Sequence, residues 1–115
     1  MRYFDILVER RKQKEDTLNK LEKYLNIIKN FLQQKYEFFK IIIFGSYVRK
    51  KILPNSDIDV LIVLPQIDNI EQKHHLNYEI RKLIDFNPFI EIHITTQEEF
   101  SSWWSKFIKN DYIEF

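Results

Sequence analysis

The fold is decided by two short stretches, KIIIFGS at residues 40–46 and SDIDVLIV at residues 56–63. Each carries an uninterrupted apolar run, and β-branched and aromatic side chains in a short run are typical of a buried strand. The first run ends at Gly45, the only glycine in the chain, and the second begins beside Asp57 and Asp59. The pattern predicts buried strands over residues 38–44 and 57–64.

The residues after the first strand predict a phosphate-binding loop. A glycine at a strand end lets backbone amides approach a ligand closely, and a helix that starts there points free N–H groups at phosphate. We expect Gly45 and Ser46 to form this loop and a short helical turn to follow over residues 47–51. Ser46 would also cap that turn, and the two roles are compatible. Arg49 and the two lysines after it would neutralise a triphosphate, or else form a solvated basic face.

Three carboxylates form the candidate metal site. Asp57 and Asp59 lie two residues apart on a strand, so their side chains leave the same face and one hard cation can bridge them. Alternatively, both are solvated or capping residues at a loop end. Glu91 is the only carboxylate on a third predicted strand, residues 89–95, and is the natural third ligand unless it simply faces solvent. His93 shares its face and could touch a substrate, although a lone strand histidine is more often structural.

Apolar side chains at three- and four-residue spacing predict an amphipathic helix over about residues 16–36. Phe4, Leu7 and Val8 would begin a separate short helix, because the polar stretch 9–16 interrupts the stripe.

Two further helices are marked by capping residues. A helix over residues 70–84 follows Asp68 or Asn69, either of which can cap it. Thr96 and Glu99 form a capping box that opens the last helix. One side of that helix carries the aromatic and apolar residues Phe100, Trp103, Trp104, Phe107 and Ile108.

The predicted order is helix, strand, turn, strand, helix, strand, helix, followed by a tail over residues 112–115. This order is typical of an α/β (α+β) layer in which helices pack on a short mixed sheet. The length of 115 residues predicts a single domain, 1–115, without room for a second substrate-binding domain.

Composition excludes several classes of partner and site. Lys and Arg number 18 against 17 Asp and Glu, so the net charge of +1 gives no general attraction to nucleic acid, and we do not expect direct nucleic acid binding. The absence of cysteine excludes disulfides and thiolate metal sites. With neither an apolar signal core nor a run long enough to span a membrane, we expect a cytoplasmic protein.

Gly45-Ser46, followed after ten intervening residues by Asp57 in the segment Ser56-Asp57-Ile58-Asp59 before an apolar strand, resembles the nucleotidyltransferase superfamily that includes DNA polymerase beta. The size and strand order are similar to its minimal nucleotidyltransferase (MNT) branch, whose members are usually paired with a HEPN-domain protein. The resemblance implies a fold like the polymerase beta palm.

The resemblance also implies a mechanism. Two Mg²⁺ ions would gather on Asp57, Asp59 and Glu91, and an acceptor hydroxyl would attack the α-phosphate of a nucleotide as pyrophosphate leaves. Gly45 and Ser46 would hold the β- and γ-phosphates. In the MNT branch the donor is ATP and the acceptor is a tyrosine of the HEPN toxin, so this chain would be the antitoxin of a toxin–antitoxin system.

The sequence departs from the family pattern at two places. Val48 and Lys50 flank Arg49 where members often have a small residue and a glycine, and Glu91 replaces the commoner aspartate. Two other functions remain open. The chain would be an antitoxin that neutralises its toxin by binding alone, or a nucleotidyltransferase that acts on a small molecule or an RNA end.

Overall fold

The computed structural model describes residues 3–45, 48, 58–109 and 111–115. Its helices and strands are α1 Tyr3–Asn19, α2 Leu21–Gln33, β1 Lys40–Phe44, β2 Ile58–Leu64, α3 Ile70–Leu83, β3 Ile90–Thr96, α4 Gln97–Glu99, a π-helical turn Phe100–Trp104, α5 Ser105–Ile108 and β4 Tyr112–Glu114. Residues 97–108, from α4 to α5, are called the C-terminal helical segment below.

The described strands form one mixed sheet in the order β3-β2-β1-β4. β1 is antiparallel to β2 and β4, whereas β2 and β3 are parallel. This mixed sheet packed by helices confirms the predicted fold class.

The sheet is covered on both faces. One face buries Ile41, Ile43, Val60 and Ile62 against apolar residues of α2 and α3. The other face packs Ile42, Phe44, Leu61 and Val63 against the C-terminal helical segment. Double coverage explains why the two central strands are apolar without alternation.

β3 differs from the central strands because it lies at an edge of the described sheet. Its residues alternate as predicted, with Ile90, Ile92 and Ile94 buried on the face of α2 and α3. Glu91 and His93 point to the opposite face and retain exposure. The side chain of Asn77 in α3 donates a hydrogen bond of 3.0 Å to the Ile92 carbonyl, which satisfies a polar group of this strand.

The predicted helix over about residues 16–36 was wrong at both ends. α2 begins at Leu21, because the helix is interrupted at Lys20, and it ends at Gln33. The short helix at the N-terminus is instead a 17-residue helix that runs through the polar stretch. Charge pairs one turn apart favour this helix without an apolar stripe, as between Lys20 and Asp16 at 3.1 Å. The hydrogen bond and the charge of Asp16 raise the pKa of Lys20.

Both predicted helix starts are confirmed by hydrogen bonds. The Asn69 side chain accepts from the Gln72 amide at 2.8 Å, and the Thr96 hydroxyl accepts from the Glu99 amide at 3.2 Å. The tail, in contrast, forms β4, which pairs with β1 from Ile42 to Phe44. A strand of three residues is too short for alternation to reveal it in the sequence.

The C-terminal helical segment does not bury one whole side as its sequence suggests. Ile108 is buried and Trp104 packs on the sheet, but Trp103 and Phe107 are 56% and 64% exposed. In the described part of the chain, no helix combines the length and the apolarity needed to cross a membrane.

Replacing Ile80 by Ala tests the packing of α3 on the sheet. Ile80 is fully buried, so the cavity left by Ile80→Ala should lower the free energy of unfolding by about 2 to 5 kcal/mol. Ile70→Ala on the same helix is the matched control, since Ile70 is 67% exposed and its loss should cost within about 0.5 kcal/mol. Urea denaturation measures both, and equal costs would contradict this packing.

Candidate active site

Three strand ends meet on the face of the sheet that carries the C-terminal helical segment. β2 lies between β1 and β3, so Asp59 is opposite Phe44 on one side and beside Glu91 on the other. Because β2 and β3 are parallel and in register at this pair, the two carboxylates leave the same face on adjacent strands, which lie about 4.8 Å apart.

His93 joins the two carboxylates. One ligand atom from each of Asp59, Glu91 and His93 lies within 4.8 Å of the others. The His93 Nε2 atom is 3.4 Å from Asp59 Oδ1 and 3.6 Å from Glu91 Oε1. The side chains of Asp59 and His93 are about one quarter exposed and that of Glu91 is about half exposed, so the cluster opens toward solvent at Glu91.

The cluster favours a cation. Two like charges within 4.8 Å repel by about 1 to 3 kcal/mol. The lower value applies better here, because Glu91 is exposed and solvent screens its charge. Among the described residues, the imidazole of His93 approaches both carboxylates, and no lysine or arginine pairs with either. Carboxylate oxygens are the ligands that Mg²⁺ and Mn²⁺ prefer, so the residues present fit a divalent ion of this kind.

Gly45 is required by its backbone and by Asp59. Its φ of +83° lies in the region that favours glycine, and a Cβ atom added there would overlap Asp59 Oδ2. From the sequence, we expected the missing side chain of Gly45 to leave space for a ligand. In the structure the same space is needed by the Asp59 carboxylate. No local sequence pattern predicts this contact between strands.

Aromatic rings form the wall behind the cluster. The His93 ring has its centroid 5.6 Å from both the Phe44 and Trp104 rings, at tilted angles. These contacts hold the imidazole on an apolar support while its Nε2 faces the carboxylates. A cavity of about 280 Å³ borders Gly45 and is lined by Phe44, Phe107, Ile108, Lys109 and Asp111.

The structure places only some of the predicted site residues. Asp59, Glu91 and Gly45 are brought together at one end of the sheet. Ser46, Arg49 and Asp57 lie outside the described residues, as does the predicted turn over residues 47–51 apart from Val48. The catalytic, metal-binding and phosphate-binding roles of all six site residues remain predictions.

Comparison with known proteins identifies the class. Residues 25–114 match the profile of a family described as Nucleotidyltransferase domain. Because the match covers most of the chain, the protein belongs to this nucleotidyltransferase family.

Two solved structures share the fold. A chain described as a putative nucleotidyltransferase from Sulfolobus solfataricus superposes with a TM-score of 0.61 over 90% of this chain and 85% of its own, at 21% identity. Another putative nucleotidyltransferase superposes with a TM-score of 0.65 at 27% identity, over 79% of this chain and 96% of its own.

One curated relative has a more particular name. The chain is 44% identical over 46 residues to "Putative protein adenylyltransferase MJ1217" of Methanocaldococcus jannaschii. The matched segment is 40% of this chain and 47% of the relative, so the chain spans about half of that protein's length.

A double-mutant cycle tests the contact between Gly45 and Asp59. Gly45→Ala should destabilise the fold, because a left-handed backbone costs a non-glycine residue about 1 to 2 kcal/mol and the new methyl group overlaps the carboxylate. In an Asp59→Ala background the overlap is relieved, since the Asp59 Cβ would lie 3.7 Å away, and only the backbone cost should remain. Chemical denaturation of the four proteins measures the difference. The same cost of Gly45→Ala in both backgrounds would refute the contact.

Proposed function

We propose that this nucleotidyltransferase is an antitoxin that transfers AMP from ATP to a tyrosine of a HEPN-domain toxin, in a reaction that requires Mg²⁺. The observation that carries the proposal is the pairing of Asp59 with Glu91 beside Gly45, in a chain of the nucleotidyltransferase family. The name of the Methanocaldococcus jannaschii relative supports a protein as acceptor.

In this proposal Asp57, Asp59 and Glu91 hold two Mg²⁺ ions. When bound, Mg²⁺ supplies positive charge that polarises the α-phosphate and stabilises the pyrophosphate that leaves. Glu91 is suited to face the acceptor, since its carboxylate is the most exposed of the described cluster. Glu91 would orient the tyrosine hydroxyl and accept its proton as the oxygen attacks the α-phosphorus and the bond to pyrophosphate breaks.

The donor nucleotide would lie along the end of β1. Gly45 has no side chain and lies directly beside the Asp59 carboxylate, so a polyphosphate would approach the main chain there next to the proposed cation site. Ser46 would hold the β- and γ-phosphates with Gly45, and Arg49 would offset their charge. In this arrangement the α-phosphate would lie next to Asp59 and Glu91.

Exposed aromatic side chains support a protein partner. Trp103 and Phe107 stack with nearly parallel rings and are each more than half exposed. Tyr3 and Phe4 at the start of α1 are more than two thirds exposed. Aromatic residues are enriched at protein interfaces, where they contribute much of the binding energy. The same residues favour a second candidate function, neutralisation of a toxin by binding without catalysis.

Transfer of a radioactive α-phosphate from ATP tests the proposal. The chain is incubated with Mg²⁺, labelled ATP and a lysate of its source cells, and the labelled proteins are separated by mass. Asp59→Asn should lower the labelling at least about 100-fold. Even the loss of a residue that only hydrogen-bonds to a metal ligand lowers metal affinity or activity about 10- to 100-fold. Glu98→Gln is the control, since Glu98 is an exposed carboxylate of α4 that lies outside the cluster.

A labelled protein whose label is retained with Glu98→Gln and lost with Asp59→Asn would support transfer to a partner. Its mass and the labelled residue then identify the toxin and the tyrosine. Protection of cells from the toxin by folded Asp59→Asn, with no labelled protein, would instead support binding alone. Label found only in nucleic acid or a small molecule would overturn the choice of acceptor.

A further inference from the structure

The imidazole of His93 lies between the two carboxylates of the cluster. Its Nε2 is nearly equidistant from Asp59 Oδ1 and Glu91 Oε1, at 3.4 and 3.6 Å. Both distances exceed the usual N–H···O range of about 2.7 to 3.2 Å, so neither is a strong hydrogen bond. An imidazole aimed between two carboxylates at these distances suggests a shared ion.

The spacing is close to that of donors around one ion. At the octahedral angles usual for Mg²⁺ and Mn²⁺, donors about 2.1 Å from the ion are about 3.0 Å apart. The distances of 3.4 and 3.6 Å from Nε2 exceed this spacing by only about half an ångström. A small contraction of the three side chains would bring all of them within bonding distance of one cation.

The ring is already oriented for this role. The contacts with Phe44 and Trp104 restrict the imidazole, so ordering it on metal binding costs little conformational entropy. Asp59 is likewise confined, because it packs against the backbone of Gly45. Glu91 is the more exposed ligand and can adjust to complete the coordination.

We propose that His93 Nε2 is a ligand of the catalytic cation and gives the site a preference for Mn²⁺ over Mg²⁺. The inference rests on the cation role proposed above for Asp59 and Glu91. Mn²⁺ also takes oxygen ligands, but as a first-row transition ion it accepts an imidazole nitrogen more readily than Mg²⁺, which strongly prefers oxygen ligands and water. A nitrogen ligand therefore strengthens Mn²⁺ binding and contributes little to Mg²⁺ binding.

Direct metal binding tests the proposal without reference to transfer. Titration of the chain with Mn²⁺, followed by the electron paramagnetic resonance signal of the free ion, gives the Mn²⁺ Kd, and competition gives the Mg²⁺ Kd. His93→Phe keeps an aromatic ring between Phe44 and Trp104 but removes the nitrogen. Because a metal ligand is lost, His93→Phe should raise the Mn²⁺ Kd at least about 10-fold. The Mg²⁺ Kd should change less than about 3-fold.

Two variants make the result specific. His93→Gln offers an amide oxygen in place of the nitrogen, so it should retain Mg²⁺ binding and lose most of the preference for Mn²⁺. His74→Asn is the matched control, because His74 is an exposed histidine on α3 outside the cluster, and both affinities should be unchanged. Electron spin echo modulation of bound Mn²⁺ should show coupling to ¹⁴N in the wild type and His74→Asn, and none in His93→Phe.

The two proposals fail in different ways. Mn²⁺ binding that is lost in Asp59→Asn but unchanged in folded His93→Phe or His93→Gln would refute the role of His93 and leave the carboxylate site standing. Absence of ¹⁴N coupling in the wild type would refute it as well. A wild type that binds neither ion would remove the basis of both proposals.

Discussion

The structure depends on the register of β2 between its two neighbours. The side chains of a strand alternate between its faces, so a slip of one residue would turn Asp59 toward the apolar face of α2 and α3 and turn Ile58 or Val60 away from it. Ile58, Val60 and Ile62 are at most 1% exposed, and their burial fixes the register. The same register puts Asp59 beside Glu91 on one side and next to the end of β1 on the other. The packing of the apolar face of β2 thus determines where the Asp59 carboxylate lies on the opposite face.

The site is locally unfavourable in its charge. It brings two carboxylates within 4.8 Å of each other, whereas the left-handed backbone at residue 45 is accommodated without strain because the residue is glycine. Like charges stay this close only where the surrounding structure holds them in place. Here the buried strands and the covering helices provide that support, and a bound cation would relieve the repulsion. This combination is expected of a site selected for function more than for stability.

The sequence predicted the parts of the fold that depend on local chemistry. Apolar runs located β1 and β2, alternation located β3, and Asn69 and Thr96 marked two helix starts. It failed for β4, which is formed by pairing with β1, a contact distant in the chain. It also failed for α1, which continues through its polar stretch where charge pairs one turn apart replace an apolar stripe.

The residues of the candidate site were largely predictable from the sequence, but the contacts among them were not. Spacing brought Gly45 and Asp59 into one hypothesis, the alternation of the third strand added Glu91, and the strand register shows why Asp59 and Glu91 lie together. The approach of His93 to both carboxylates depends on its ring contacts with Phe44 and Trp104, which come from separate elements. The overlap that any side chain at residue 45 would make with Asp59 is also a contact between strands. Neither feature has a signal in the spacing of residues.

The central claim is that Asp59 and Glu91 hold a cation beside a nucleotide whose phosphates lie at Gly45. A crystal structure with Mn²⁺ and a non-hydrolysable ATP analogue, with anomalous data for manganese, tests it most directly. The account predicts an anomalous peak about 2.0 to 2.3 Å from oxygens of both carboxylates, with the triphosphate against the end of β1. Manganese bound elsewhere, or a nucleotide whose phosphates are remote from Gly45, would contradict it.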